Sequence, residues 1–198
     1  MSRPGSRMLT WGSMSVWVMA AVVACGHPDP AADDASGGPS RDSSRYTSEL
    51  GRSDLPWSGG RSPYNAEVRL DDGRRVAMYY LRDKGLAEQH YSPRAKAWTE
   101  AALIHRTEAD ACQGIELRAR GGTVAAIADF GPYCYDGEPP AASIAAVGVD
   151  SFTRWDVNVT KDFDGWERVS VSDDGSEVVF KRGTTLRWSR ADGFDEQQ

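Results

Sequence analysis

Cys25 has the most definite chemistry in the sequence, because it stands where an apolar run ends. Residues 8–24 are largely apolar, and Arg3 and Arg7 are the only charges that precede Cys25. A basic start, a short apolar run and small closing residues are typical of a secretory signal. Cys25 is the only sulfur nucleophile near the predicted cleavage point, so the sequence predicts an exported chain with a modifiable thiol.

Val22, Val23, Ala24 and Cys25 resemble the lipobox of bacterial lipoproteins. The resemblance implies that a diacylglyceryl group is attached to Cys25, that residues 1–24 are removed, and that the chain is anchored to a membrane, facing outside the cytoplasm. Each buried methylene contributes ~0.8 kcal/mol, so an anchor of two or three acyl chains holds firmly. The alternative is an uncleaved N-terminal anchor helix, for which the run is short of a ~20-residue span.

Cys112 and Cys134 are the other two cysteines, and they predict a disulfide. A cysteine pair outside the cytoplasm is expected to oxidise. Neither cysteine has a CxxC partner or a nearby histidine, as zinc or thioredoxin-like chemistry would require. Both flank a predicted hairpin over residues 115–130, whose strands should return them to the same end.

Three aromatic residues, Phe130, Tyr133 and Tyr135, surround Cys134 on the predicted cross-linked loop. Rigid aromatic side chains dominate binding hot spots, so this loop is a candidate contact surface for a surface protein or a glycan. The alternative is that these rings pack over the core.

Composition separates a tether from a folded domain. Residues 25–58 are rich in Gly, Pro, Ser, Asp and Ala, which predicts a disordered tether, although residues 50–57 include apolar side chains that could dock onto the domain. Removal of residues 1–24 would leave 21 basic and 29 acidic side chains. An acidic chain is a poor partner for nucleic acid, whose phosphates require Lys and Arg.

Residues 59–198 predict an all-β domain. Three turns, Asp71–Gly73, Gly121–Gly122 and Asp173–Gly175, each lie between runs of β-forming residues, which is the pattern of a hairpin. The three hairpins and the strands after them predict three related units, at residues 68–103, 115–160 and 169–198. Each unit corresponds to a four-stranded antiparallel meander of the kind that forms a propeller blade. A β-sandwich fits the same spacing, and a helix over residues 98–111 would make the fold α+β.

The segment from Gly148 to Trp155 resembles, in a degenerate form, the Asp-box turn of sialidase-type propellers. Asp150 and Trp155 keep the five-residue spacing, whereas Gly148 and Phe152 replace the serine and the glycine of the box. In that family the box is a structural turn, so the resemblance implies a propeller-like fold and not an activity. Closed propellers usually need at least four blades, and only three units are visible here.

A sialidase-type glycoside hydrolase is the catalytic alternative for function. Tyr79, Tyr80, Arg82 and Glu88 have the residue types of such a site, but nothing in their spacing brings them together. The three histidines form no HExxH or HxH pattern, and no GxSxG elbow occurs. The sequence therefore predicts no catalytic residue, metal or cofactor. It favours a membrane-anchored lipoprotein with a non-catalytic binding or scaffolding domain.

Overall fold

The computed structural model describes residues 55–56, 62–132, 134 and 138–195. The described residues form antiparallel strands and no helix, so the predicted all-β class is confirmed. The strands are β1 (Asn65–Arg69), β2 (Arg75–Leu81), β3 (Gly85–Ser92), β4 (Ala97–Trp98), β5 (Ala102–Arg106), β6 (Glu116–Arg120), β7 (Thr123–Phe130), β8 (Ala142–Val149), β9 (Trp155–Lys161), β10 (Arg168–Val171), β11 (Glu177–Arg182), β12 (Thr184–Ser189) and β13 (Gly193–Phe194).

These strands form three successive meanders, which we call the first sheet (β1–β5), the second sheet (β6–β9) and the third sheet (β10–β13). The second and third sheets each have four strands in sequence order. In the first sheet, β4 and β5 both pair with β3 and together make an interrupted fourth strand. Thr99 lies in the interruption, where its N–H donates to the His90 carbonyl at 2.9 Å. The helix considered for residues 98–111 is therefore replaced by strand and loop.

The predicted hairpins are all present, and turn chemistry explains them. β1 pairs with β2 across residues 70–74, β6 with β7 across Gly121 and Gly122, and β10 with β11 across residues 172–176. Gly121 has φ of +54°, a left-handed conformation that side chains with a Cβ rarely adopt. A Cβ placed there would lie 2.3 Å from the Asp174 carbonyl carbon, so two neighbouring turns touch at this glycine.

β7 lies at the centre of the molecule, and every residue in it is buried. A strand buried on both faces reads as a continuous apolar run rather than as an alternation. Its even-numbered residues pack toward the first sheet and its odd-numbered residues toward the third sheet. The first interface includes Val76, Met78, Leu86, Val124, Ala126 and Ile144, and the second includes Ala125, Ile127, Val147, Val178, Phe180 and Trp188.

Within the described residues, the sheets therefore stack as three layers in chain order and do not close into a barrel. This layering differs from a two-sheet sandwich. It agrees with the predicted repetition of three four-stranded units. Closure of these units into a propeller stays a prediction.

The first and third connections of each meander meet at one end of the molecule, which we call the turn end. Asp150, in the β8–β9 turn, joins all three sheets there. Its carbonyl accepts a hydrogen bond from Arg74 of the first sheet, and its carboxylate pairs with Arg190 of the third sheet at 2.9 Å. Phe152 and Trp155 complete the turn, with the indole N–H donating to the Phe152 carbonyl at 3.2 Å. The Asp-box-like segment thus has a structural role in this chain.

Candidate ligand-binding cleft at the disulfide end

The opposite end of the molecule carries the β2–β3, β7–β8 and β11–β12 connections and the segments that join one sheet to the next. We call it the disulfide end, because Cys112 and Cys134 are bonded there with their Cα atoms 5.1 Å apart. The Cys112 N–H donates to the Asp129 carbonyl at 2.9 Å, and the Gly131 N–H donates to the Asp110 carbonyl at 3.0 Å. The predicted disulfide is confirmed, and it fixes the linker from the first sheet along the end of β7.

A cleft of about 350 Å³ opens at this end, between the first and second sheets. Tyr64, Tyr80 and Phe130 form its aromatic lining. Its rim carries Arg82 and Asp83 from the β2–β3 turn, and Asp110 from the linker. The sequence places these residues up to 66 positions apart, from Tyr64 to Phe130, so no local motif could have predicted the cleft.

Tyr80 is the rigid wall of the cleft. Its ring meets Phe130 edge-to-face at 5.0 Å and Tyr64 at 5.9 Å. Its hydroxyl donates to the Gln113 carbonyl at 3.0 Å and accepts from the Asp129 N–H at 3.2 Å. Burial raises the pKa of Tyr80, which disfavours the phenolate that a tyrosine nucleophile would need. Tyr80 therefore has a structural role, in which it connects the first sheet to the second.

Three charged side chains remain available on the rim. Arg82, Asp83 and Asp110 are exposed, and none forms an ion pair with another described residue. Asp83 has φ of +57° in the tight β2–β3 turn. The backbone conformation of this turn therefore sets the direction in which the Asp83 side chain leaves the chain. A shallow depression lined by Lys84, Arg106 and Glu108 continues from Asp83 along the first sheet. Rigid apolar walls with a charged rim suit a polar ligand with an apolar face.

The aromatic contact surface predicted from the sequence needs one correction. Phe130 is 2 % exposed and packs in the interface between the first and second sheets, against Tyr80 and His105. It is the last residue of a strand buried on both faces, so its ring packs in the core while it also lines the cleft. Tyr133 and Tyr135 lie outside the described residues, as does Cys25 with the predicted leader and most of the tether.

The residues considered for a sialidase-type site do not converge. Tyr79 and Tyr80 project from opposite faces of β2, since Tyr80 packs against the second sheet and Tyr79 bonds to Gln89 on the other face at 2.7 Å. Glu88 is buried and contacts the His90 ring nitrogen Nδ1 at 2.8 Å. Arg82 is on the exposed rim. The chain thus uses the tyrosines and the glutamate for packing and internal hydrogen bonds.

Sequence reasoning did not predict the burial of two acids, Glu88 and Asp129. Burial raises the pKa of Glu88, while its contact with His90 lowers it. Burial raises the pKa of Asp129 to about 6, against a lowering hydrogen bond from Ser143. The available signals were the i, i+2 spacing of Glu88 and His90 on one strand face, and a single charged residue, Asp129, in the largely apolar run of β7.

No three His, Cys, Asp or Glu side chains of the described residues group as metal ligands. The described part of the chain also contains no helix of the length and hydropathy needed to cross a membrane. Comparisons with protein-family models, curated proteins and solved structures yield no match to this chain.

Proposed function

We propose that this chain is a lipid-anchored lipoprotein outside the cytoplasm whose β-domain binds a surface protein or a glycan without catalysing a reaction. The observation that carries the proposal is the cleft at the disulfide end. Its walls are held rigid by the disulfide and by the two hydrogen bonds of Tyr80, while the charges on its rim have no partner among the described residues. A preformed surface costs little entropy on binding.

The predicted tether and anchor would place the cleft close to a membrane surface. A lipid on Cys25 followed by a flexible segment would hold the domain close to neighbours on the same surface. This proximity raises the effective concentration of the domain toward those neighbours, so a modest intrinsic affinity is sufficient. The acidic balance of the chain disfavours nucleic acid as the partner.

Arrays of glycans and peptides, probed with the purified chain, would test the proposal. Asp110→Ala and Arg82→Ala each remove one rim charge and should weaken binding by about 10- to 150-fold, since a hydrogen bond to a charged group contributes ~1.5–3 kcal/mol. The matched control is Arg154→Ala, which removes an exposed arginine at the turn end and should leave binding unchanged.

Two results would contradict the proposal. One is equal loss of binding with the rim variants and with Arg154→Ala, which would place the binding surface elsewhere. The other is turnover of a sialyl or other glycoside substrate that a single Tyr or Glu substitution abolishes.

A further inference from the structure

Asp129 is the least expected side chain in the core. It is 1 % exposed, and its Oδ1 atom has no hydrogen-bond partner. Odd-numbered positions of β7 face the third sheet, so the carboxyl group lies on that side of the second sheet. A buried carboxylate with an unpaired oxygen is costly, because neither water nor a donor compensates its charge.

Residues 162–167 are the segment that encloses this carboxyl group, and we call them the strap. They run from β9 to β10 and so join the second sheet to the third. Gly165 in the strap has φ of +85°, and a Cβ placed there would lie 3.1 Å from Asp129 Oδ1. A side chain at this position would therefore crowd the carboxyl group and strain the positive φ, so glycine suits the close approach of the strap.

Trp166 holds the strap closed. Its ring is buried between Phe163 and Phe180, at centroid distances of 4.7 and 6.2 Å. Its backbone N–H donates to Ser143 Oγ at 3.0 Å, and the same Ser143 hydroxyl lowers the pKa of Asp129. The strap is thus bonded to a hydroxyl that acts on the carboxyl group.

We propose that residues 162–167 form a pH-sensitive strap, which is closed while Asp129 is neutral and loosens when Asp129 is ionised. Closure removes water from the carboxyl group, and this removal favours the neutral form. Loosening lets water reach the carboxylate at the expense of the Trp166 packing. The inference concerns the folding of this chain and does not depend on the proposed function.

The surrounding charges do not replace the lost water. Arg182 on β11 lowers the pKa of Asp129, and Asp164 in the strap raises it. These two side chains form an ion pair with each other, so their opposite effects on the pKa of Asp129 largely cancel. β8 contributes only the Ser143 hydroxyl.

The direction of the pH effect follows from the raised pKa. Its folded value of about 6 lies above the ordinary 3.8, so the closed strap is most stable below about pH 4. Stability is lost as the pH rises through 6. A difference of about two pKa units corresponds to an increase of up to ~100-fold in the opening equilibrium between pH 4 and pH 7.

Hydrogen–deuterium exchange of the full-length chain, read by mass spectrometry on a peptide covering the strap, would test the proposal. Rates corrected for intrinsic exchange should rise with pH, with a midpoint near 6, relative to a reference peptide from β12. Asp129→Asn should abolish this rise, because the neutral amide has nearly the same shape. Asp162→Asn, which changes an exposed acid of the strap other than Asp164, the partner of Arg182, should keep it.

A rise in Asp129→Asn equal to that of the natural chain would overturn the proposal. So would a natural chain whose strap and reference peptides show the same pH profile. The second result needs no variant, so the proposal stays testable even if Asp129→Asn fails to fold.

Discussion

At the residue scale, Phe130 is a core side chain whose ring joins two sheets. It packs against Tyr80 and His105 and belongs to the interface of the first and second sheets. Phe130→Ala should therefore lower the free energy of unfolding by ~3–5 kcal/mol, the usual cost of removing a buried phenyl ring. Urea denaturation followed by circular dichroism measures this change.

Val159→Ala is the matched control for that prediction. Val159 is 39 % exposed on β9, so its truncation should change stability by less than ~0.5 kcal/mol. A Phe130→Ala protein as stable as Val159→Ala would restore Phe130 to the contact surface that the sequence suggested.

The sequence predicted local features at this scale and missed those that depend on distant packing. Two turns could be predicted from Asp71–Gly73 and Asp173–Gly175, because a turn depends on the types of a few adjacent residues. The sequence could not show which face of β7 each side chain occupies, because both faces are buried and the apolar run has no alternation. The sequence therefore left open whether Phe130 lies on a contact surface or in the core, and it did not predict the burial of Asp129.

At the element scale, the contact between the β6–β7 and β10–β11 turns depends on Gly121. Gly121→Ala should lower the free energy of unfolding by several kcal/mol, because the new Cβ meets the Asp174 backbone at 2.3 Å in addition to the cost of a positive φ. Thermal unfolding in a calorimeter measures the loss.

Gly122→Ala isolates the steric part of that effect. Gly122 also has a positive φ, of +77°, but a Cβ there would have no atom within 4 Å. The Gly122→Ala replacement should lower the free energy of unfolding by only ~1–2 kcal/mol. Equal losses in the two variants would show that the turns do not pack as described.

The disulfide between Cys112 and Cys134 also stabilises the arrangement of the strands. It closes a loop across 22 residues, so replacing Cys112 and Cys134 with serine should cost about 3 kcal/mol on the loop-entropy model. Guanidinium denaturation of oxidised and reduced protein gives the same comparison without a variant. Identical midpoints before and after reduction would indicate that the bond does not constrain the chain.

At the scale of the whole molecule, three meanders follow one another and stack by their faces. The repetition was predictable because each hairpin repeats the same strand spacing. The stacking order of the sheets and the cleft could not be predicted. The residues that line the cleft come together only when the first two sheets pack, and they include Tyr64, Tyr80, Asp110 and Phe130.

The lipid anchor is the prediction that belongs to the chain as a whole. Mass spectrometry of the membrane fraction should find a mature N-terminus at Cys25 carrying a diacylglyceryl group. Cys25→Ala should release the chain from the membrane or leave residues 1–24 attached. An unmodified Cys25 in membrane-bound protein would contradict the lipobox interpretation.

The most direct test of the account is photo-crosslinking from the two ends of the domain, in cells that produce the protein. A photoreactive amino acid would replace Asp110 at the rim of the cleft and, in a separate variant, Arg154 at the turn end. We expect Asp110 to yield a specific crosslinked partner that Arg154 does not, with the adduct reduced by Arg82→Ala. A partner captured equally from both ends, or from Arg154 alone, would contradict binding through the cleft.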